Sequence, residues 1–175
     1  MVSRVVTLEA GMKKLLNPNQ HGVLDYVLGG AFLLAPALFR WKPIPTIASY
    51  GLGMAQIGMS LFTNYPLGLV KAIPFKVHGA IEMTTALQII AMPKMLNFKQ
   101  MCATSFYVTA GLGLLAVWAV TDYSDAAVDA AQVEADELEM ETERLAQLAA
   151  QEAKDIIEHG VEQVEEVIYK DRRAS

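Results

Sequence analysis

Two imidazole–carboxyl pairs stand out for their chemistry: His21-Gly22 with Asp25, and His78-Gly79 with Glu82. On a helix, four residues amount to a rotation of about 40° and a rise of about 6 Å, so each acid lies one turn beyond its histidine on the same stripe. Imidazole and carboxylate together can ligate a first-row transition ion, or two histidines at equal depth a haem. A carboxyl one turn below a histidine can also relay protons inside a membrane. The plainest use is a staple, in which each polar group satisfies another across helices. Two threonines and two tyrosines, Thr63 with Tyr65 and Thr121 with Tyr123, belong to the same constellation for a reason that lies in the order of the chain.

That order is a repeat. His21, Gly22, Asp25 and Pro36 return after 57 residues as His78, Gly79, Glu82 and Pro93, and Thr63-Asn64-Tyr65 returns after 58 as Thr121-Asp122-Tyr123. A fixed period with conserved landmarks identifies a duplicated unit. If each unit runs out and back as two helices, the second copy starts on the same side as the first, and the two are related by an axis along the membrane normal. His21, Asp25, Thr63, Tyr65, His78, Glu82, Thr121 and Tyr123 then converge on one mouth of the bundle. The acid stripe continues through Gly29, Phe32 and Pro36 in one copy and Ala86, Ile89 and Pro93 in the other. Small residues there, and Gly51, Gly53, Ala55, Gly58, Ala110, Gly111, Gly113 and Ala116 in the second helices, allow close helix approach, which turns the acids inward.

The elements that must position these residues are apolar. Residues 1–121 carry 9 Lys/Arg against 3 acids, whereas residues 122–175 carry 5 against 16, within a net charge of −5. The first part holds four stretches near 22–41, 45–64, 77–96 and 103–121, each of the roughly 20 residues that a bilayer requires. Ala31 to Phe39 and Ala110 to Val120 have no polar face of the kind that a soluble bundle would need. The expected fold is therefore all-α: four transmembrane helices as a tandem duplication of a two-helix unit, followed by an extended amphipathic acidic helix. The opening residues show no cleavable signal pattern. Arg4, Lys13, Lys14, Lys71 and Lys76 on one side, against Arg40, Lys42, Lys94 and Lys99 on the other, slightly favour cytoplasmic termini. Gln56 and Gln88 are expected near midplane as interhelical hydrogen-bond donors. Trp41, Trp118, Tyr65 and Tyr123 suit an interfacial belt, and the single Cys102 suits packing.

The repeat unit resembles the small integral membrane proteins built from the SPW repeat, in which each two-helix unit carries Ser-Pro-Trp near the end of its first helix. The corresponding places are Ala35-Pro36-Ala37 and Met92-Pro93-Lys94, of which the proline persists in both, and the likeness covers about residues 17–124. The resemblance implies a fold and a membrane location. It brings no activity with it.

Five segments follow: 1–20, an N-terminal segment; 21–65, the first membrane repeat; 66–77, an interfacial linker broken by Pro66, Gly68 and Pro74; 78–123, the second repeat; and 124–175, the acidic tail. The tail lacks Gly and Pro from Ser124 to Glu158, and Leu138, Leu145, Ala149, Ala153, Ile156, Val161, Val164 and Ile168 form an apolar stripe suited to a coiled coil, interrupted by Gly160. Its acids argue against nucleic acid and anionic membrane surfaces, and for self-association or a protein partner. His159 is expected at an exposed position near a helix end.

No nucleophile constellation, phosphate loop or dinucleotide fingerprint is present, so enzyme signals are absent. The expected function is a membrane anchor or assembly protein of a prokaryotic cytoplasmic membrane that presents the acidic tail to a partner. The alternatives are a redox protein that binds haem or a transition metal through His21, His78, Asp25 and Glu82, and a transporter of protons or a small solute. The anchor ranks first because it asks least of the sequence.

Overall fold

A computed structural model describes residues 14–174 of the protein, with side chains up to residue 159. Arg4 and Lys13, and the side chains of Val161, Val164 and Ile168, lie outside the described residues. The elements are α1 (Pro18–Leu38), α2 (Pro43–Leu61), β1 (Thr63–Asn64), β2 (Ile73–Pro74), α3 (Phe75–Met95), α4 (Met101–Val120) and α5 (Asp125–Ala174). The protein is thus mostly helical. The helical expectation holds, and two very short parallel strands add to it.

Local chemistry fixes the helix starts. Asn17 accepts from the Gln20 amide while the Gln20 side chain accepts from the Asn17 amide, a capping box completed by Pro18 in the first turn. Pro43 likewise opens the first turn of α2, where no side chain caps the helix. At the far end, α1 and α3 stop at repeat-equivalent places, where Arg40 and Asn97 take left-handed φ values of 48° and 53°. Pro36 sits inside α1 and cannot donate to the carbonyl four residues back. Ser49 of α2 supplies the missing donor, its hydroxyl bonding the Phe32 carbonyl at 2.6 Å.

Helices approach most closely within each unit, α1 on α2 and α3 on α4. A Cβ on Gly53 would meet the Gly29 carbonyl at 2.8 Å, and one on Gly111 would meet the Ala86 carbonyl at 2.9 Å. The small residues expected at these contacts make them. Gly51, Gly58 and Gly113 face open space instead. The acid stripe is buried as expected: Gly29, Phe32 and Pro36 in α1, and Ala86, Ile89 and Pro93 in α3. Around Phe32, an aromatic cluster of Trp41, Phe106 and Tyr107 closes the end remote from the histidines.

Four spans were expected, and among the described residues two helices are long and apolar enough to cross a membrane, α1 and α4. Helices α2 and α3, of 19 and 21 residues, have the length without that apolarity. The shortfall arises partly from inward polar groups, Ser49, Gln56 and Ser60 in α2 and His78 and Glu82 in α3, all buried. Gln88 corrects an expectation, because it is exposed on α3 instead of bridging helices.

The linker also differs from its expected form. Helix α3 begins at Phe75, and the preceding Ile73-Pro74 pairs with Thr63-Asn64 as a parallel strand. The repeat has a counterpart: Leu16 bridges Thr121 in parallel. Each unit's leading segment therefore hydrogen-bonds to a Thr-x-Tyr segment, Ile73 from the second unit to the first unit's Phe62 carbonyl, and Leu16 from the first unit to the second unit's Val120 carbonyl.

The chain divides into residues 1–132 and 133–175. The first two turns of α5 belong to the former, with Lys76 to Asp125 at 2.7 Å, Lys71 to Gln132 at 2.8 Å and Ala131 buried. The remainder of α5 is a continuous helix whose apolar residues Leu138, Leu145, Leu148 and Ile156 are exposed.

Candidate metal centre

All eight polar residues expected at one mouth are found together. His21, Asp25, Thr63, Tyr65, His78, Glu82 and Thr121 are at most 1 % exposed, and Tyr123 is part-buried. They are joined by two residues that the sequence reading had not placed in the cluster, Gln56 as an acid partner and Ser60. The Gln56 amide donates to Asp25 Oδ1 at 2.9 Å, and the Ser60 hydroxyl donates to Asp25 Oδ2 at 3.0 Å. Their spacing in α2 held the available signal, since 56 and 60 are one helical turn apart.

The threonines cross between copies. Thr121 Oγ1 lies 2.9 Å from His21 Nδ1, and Thr63 Oγ1 lies 2.8 Å from His78 Nδ1. Each hydroxyl proton is already donated to the carbonyl four residues back, Val117 and Met59, at 2.7 Å. Each threonine can therefore only accept from its histidine, which places a proton on both Nδ1 atoms. In the neutral rings, both Nε2 atoms then present lone pairs.

Those lone pairs meet at one point. His21 Nε2 and His78 Nε2 are 3.3 Å apart. Asp25 Oδ2 lies 3.4 Å from the first and 3.1 Å from the second, and Glu82 Oε2 lies 3.4 Å from His21 Nε2. One ligand atom from each of the four residues fits within a span of 4.8 Å. Bonds of about 2.0–2.2 Å place neighbouring ligand atoms about 2.8–3.1 Å apart around an octahedral ion and about 3.3–3.6 Å apart around a tetrahedral one. The four edges of 3.1–3.4 Å match these ranges, and the full span of 4.8 Å is wider than either, so an ion would draw the ligands together.

A divalent cation would also balance the charge. Two carboxylates and two inward-facing lone pairs, buried together, require positive charge from protons or from a divalent cation. The outer contacts also match those of a metal site, where each ligating imidazole donates its other N–H and each carboxylate is held by donors. Haem fits poorly. Trans axial nitrogens would stand about 4 Å apart with the macrocycle between them, whereas carboxylates fill the space beside this 3.3 Å pair. The haem expectation is accordingly set aside on geometry.

The glycines and tyrosines of the motif now have reasons. A Cβ on Gly22 would run into the Tyr65 ring, and one on Gly79 would meet the Tyr123 ring at 2.6 Å. Each His-Gly step lets its own copy's tyrosine cross the helix beside the histidine. Tyr123 uses that position to donate to Glu82 Oε2 at 2.7 Å. The hydroxyl of Tyr65 makes no hydrogen bond of good geometry, with Ser60 and Tyr26 as its polar neighbours. Burial raises both phenols well above the ordinary tyrosine range, with Glu82 adding to the effect at Tyr123, so both stay protonated. These two tyrosines line the site and do not form a belt at the interface. Trp41 is likewise buried, donating to Cys102 Sγ at 3.2 Å, while Cys102 itself is exposed and not a packing residue.

Phe75, from the segment read as linker, caps the histidines. Its ring centroid lies 5.3 Å from that of His21, 5.8 Å from His78 and 4.7 Å from Tyr123. This plug was not legible in the sequence, where Phe75 read as one more interfacial apolar residue.

The unequal tyrosines make a direct test. Tyr123→Phe removes the donor to a buried carboxyl and is expected to cost about 1–3 kcal/mol, whereas Tyr65→Phe removes an unpaired hydroxyl and is expected to be close to neutral. Thermal denaturation of the two variants in the same detergent measures the difference.

Comparison with protein-family models, curated proteins and solved structures finds no match for this chain.

Proposed function

We propose that the protein is an integral membrane protein whose two repeats jointly bind one first-row divalent transition ion between His21, His78, Asp25 and Glu82. The observation that carries this reading is a geometry: the Thr63 and Thr121 hydroxyls, each donating to its own helix carbonyl, lie 2.8 and 2.9 Å from His78 and His21 Nδ1, which leaves the two Nε2 atoms facing each other at 3.3 Å beside two carboxylates. A staple alone needs no such convergence. The bundle is inside out for water, with Asp25, Gln56, Ser49 and Ser60 buried while Val27, Leu34, Ile47, Met54 and Leu112 are exposed, which supports four spans, and the small excess of Lys and Arg on the side of the termini favours a cytoplasmic location for both. The likeness to SPW-repeat proteins belongs to the same proposal. Elemental analysis of detergent-purified protein, supplied with zinc, manganese and ferrous iron in turn, is expected to find about one ion per chain. The His21→Ala/His78→Ala double variant should retain none. A folded wild-type protein that holds no ion from this series would overturn the assignment.

A second reading concerns the tail. The exposed row Leu138, Leu145, Leu148 and Ile156 on α5 favours an anchor that presents an acidic helix to a protein partner or to another copy. Truncation after residue 132 is expected to leave metal content unchanged and to reduce the oligomeric mass seen by light scattering or the capture of a partner.

A further inference from the structure

The two copies have diverged at the carboxylates, and the divergence assigns unequal roles. Both Asp25 oxygens are held by α2, one by Gln56 and one by Ser60. The positions 58 residues later are Leu114 and Trp118, which offer Glu82 no equivalent pair of donors. Glu82 is held instead through Oε2 by Tyr123, a residue beyond the end of α4, while its buried Oε1 has no hydrogen-bond partner. Asp25 is fixed on both sides. Glu82 is tethered at one oxygen only.

Both carboxylates lie 3.4 Å from His21 Nε2, and Asp25 Oδ2 also reaches His78 Nε2. His21 Nε2, His78 Nε2 and Asp25 Oδ2 form a closed triangle with edges of 3.3, 3.4 and 3.1 Å. Two imidazoles and one carboxylate on a single face, with the remaining positions open, is the donor set of non-haem ferrous centres that bind small molecules. A cavity of about 250 Å³ between α1 and α4 is lined by Leu24, Leu28, Gly113 and Leu114, with Asp25 among its lining residues. Its walls are almost wholly apolar, and α1 and α4 are, among the described residues, the helices long and apolar enough to cross a membrane. Charged or strongly hydrated ligands would lose their solvation there, whereas a small uncharged molecule would not.

We propose that His21, His78 and Asp25 are the fixed face of a mononuclear ferrous centre, and that Glu82 marks an exchangeable position at which a small uncharged ligand of the dioxygen class binds, arriving between α1 and α4. This rests on the metal reading above, and the test separates the two. The wild-type chain is loaded anaerobically with ferrous iron, its iron content is measured, and nitric oxide is added as the probe. A high-spin ferrous nitrosyl signal in the electron paramagnetic resonance spectrum, stoichiometric with bound iron, is expected. Full iron occupancy without that signal means a saturated ion and overturns the exchangeable position while the metal centre stands; failure to retain iron overturns this proposal, and the metal reading falls with it only where zinc and manganese are not held either. Gly113→Phe fills open space in the cavity wall, and is expected to slow nitrosyl formation several-fold in stopped flow without changing iron content or final signal. An unchanged rate in a folded Gly113→Phe protein rejects the α1–α4 route.

Discussion

Thr121→Val is expected to weaken metal retention by about 10–100-fold, as is typical when the group orienting a metal-bound histidine is lost. Thr121 Oγ1 accepts from His21 Nδ1–H at 2.9 Å, and valine of nearly the same shape cannot. The buried N–H is then unpaired, and the ring relieves this by moving its proton to Nε2, the atom needed by the ion. Thr63→Val should do the same to His78, and serine at either place should restore most of the affinity. Competition with a chelator of known affinity reads the change. Because metal binding displaces protons from its ligands, retention by every variant should also fall as pH is lowered. Thr63→Val and Thr121→Val that leave retention untouched would mean that the histidines are oriented by something other than these hydroxyls.

The second large effect is steric. Gly79→Ala adds a methyl that would meet the Tyr123 ring at 2.6 Å, in a site where that ring is also packed on Phe75 with centroids 4.7 Å apart. Overpacking of this kind costs about 1–3 kcal/mol. Gly22→Ala, opposite the fully buried Tyr65, should cost at least as much, because its ring has less room to withdraw. Thermal melts in detergent give the size. A double variant with Tyr123→Ala supplies the control: if the clash is the cause, adding Gly79→Ala to Tyr123→Ala should cost far less than adding it to the wild type. Additive losses would assign the glycine a different role.

Much of the architecture was legible because it is local. The 57-residue echo of His-Gly-x-x-acid and the Thr-x-Tyr segments placed the ends of four helices, and α1 and α3 indeed begin 57 residues apart, at Pro18 and Phe75. Stripe geometry found the buried line through Gly29, Phe32 and Pro36. Hydropathy was a weaker guide for α2 and α3, because the residues that serve the site lower it. Gln56 and Ser60 were hard to assign for a related reason: a hydrogen bond to Asp25 depends on how α1 and α2 rotate against each other, and small-residue contacts such as Gly29 on Gly53 set that rotation only once both helices dock. Gln88 had the same expectation as Gln56 and met no partner.

Periodicity and repetition by themselves determined that two helical hairpins bring eight polar side chains to one rim, since helical pitch and chain direction leave little freedom in where each residue lands. Which side chain serves which was decided only by the docked units. The threonine of one copy holds the histidine of the other, and the short strands likewise pair across copies. A hydrogen bond acts over about 3 Å, so partners 100 residues apart, such as His21 and Thr121, are chosen by packing between units and leave no trace in local spacing.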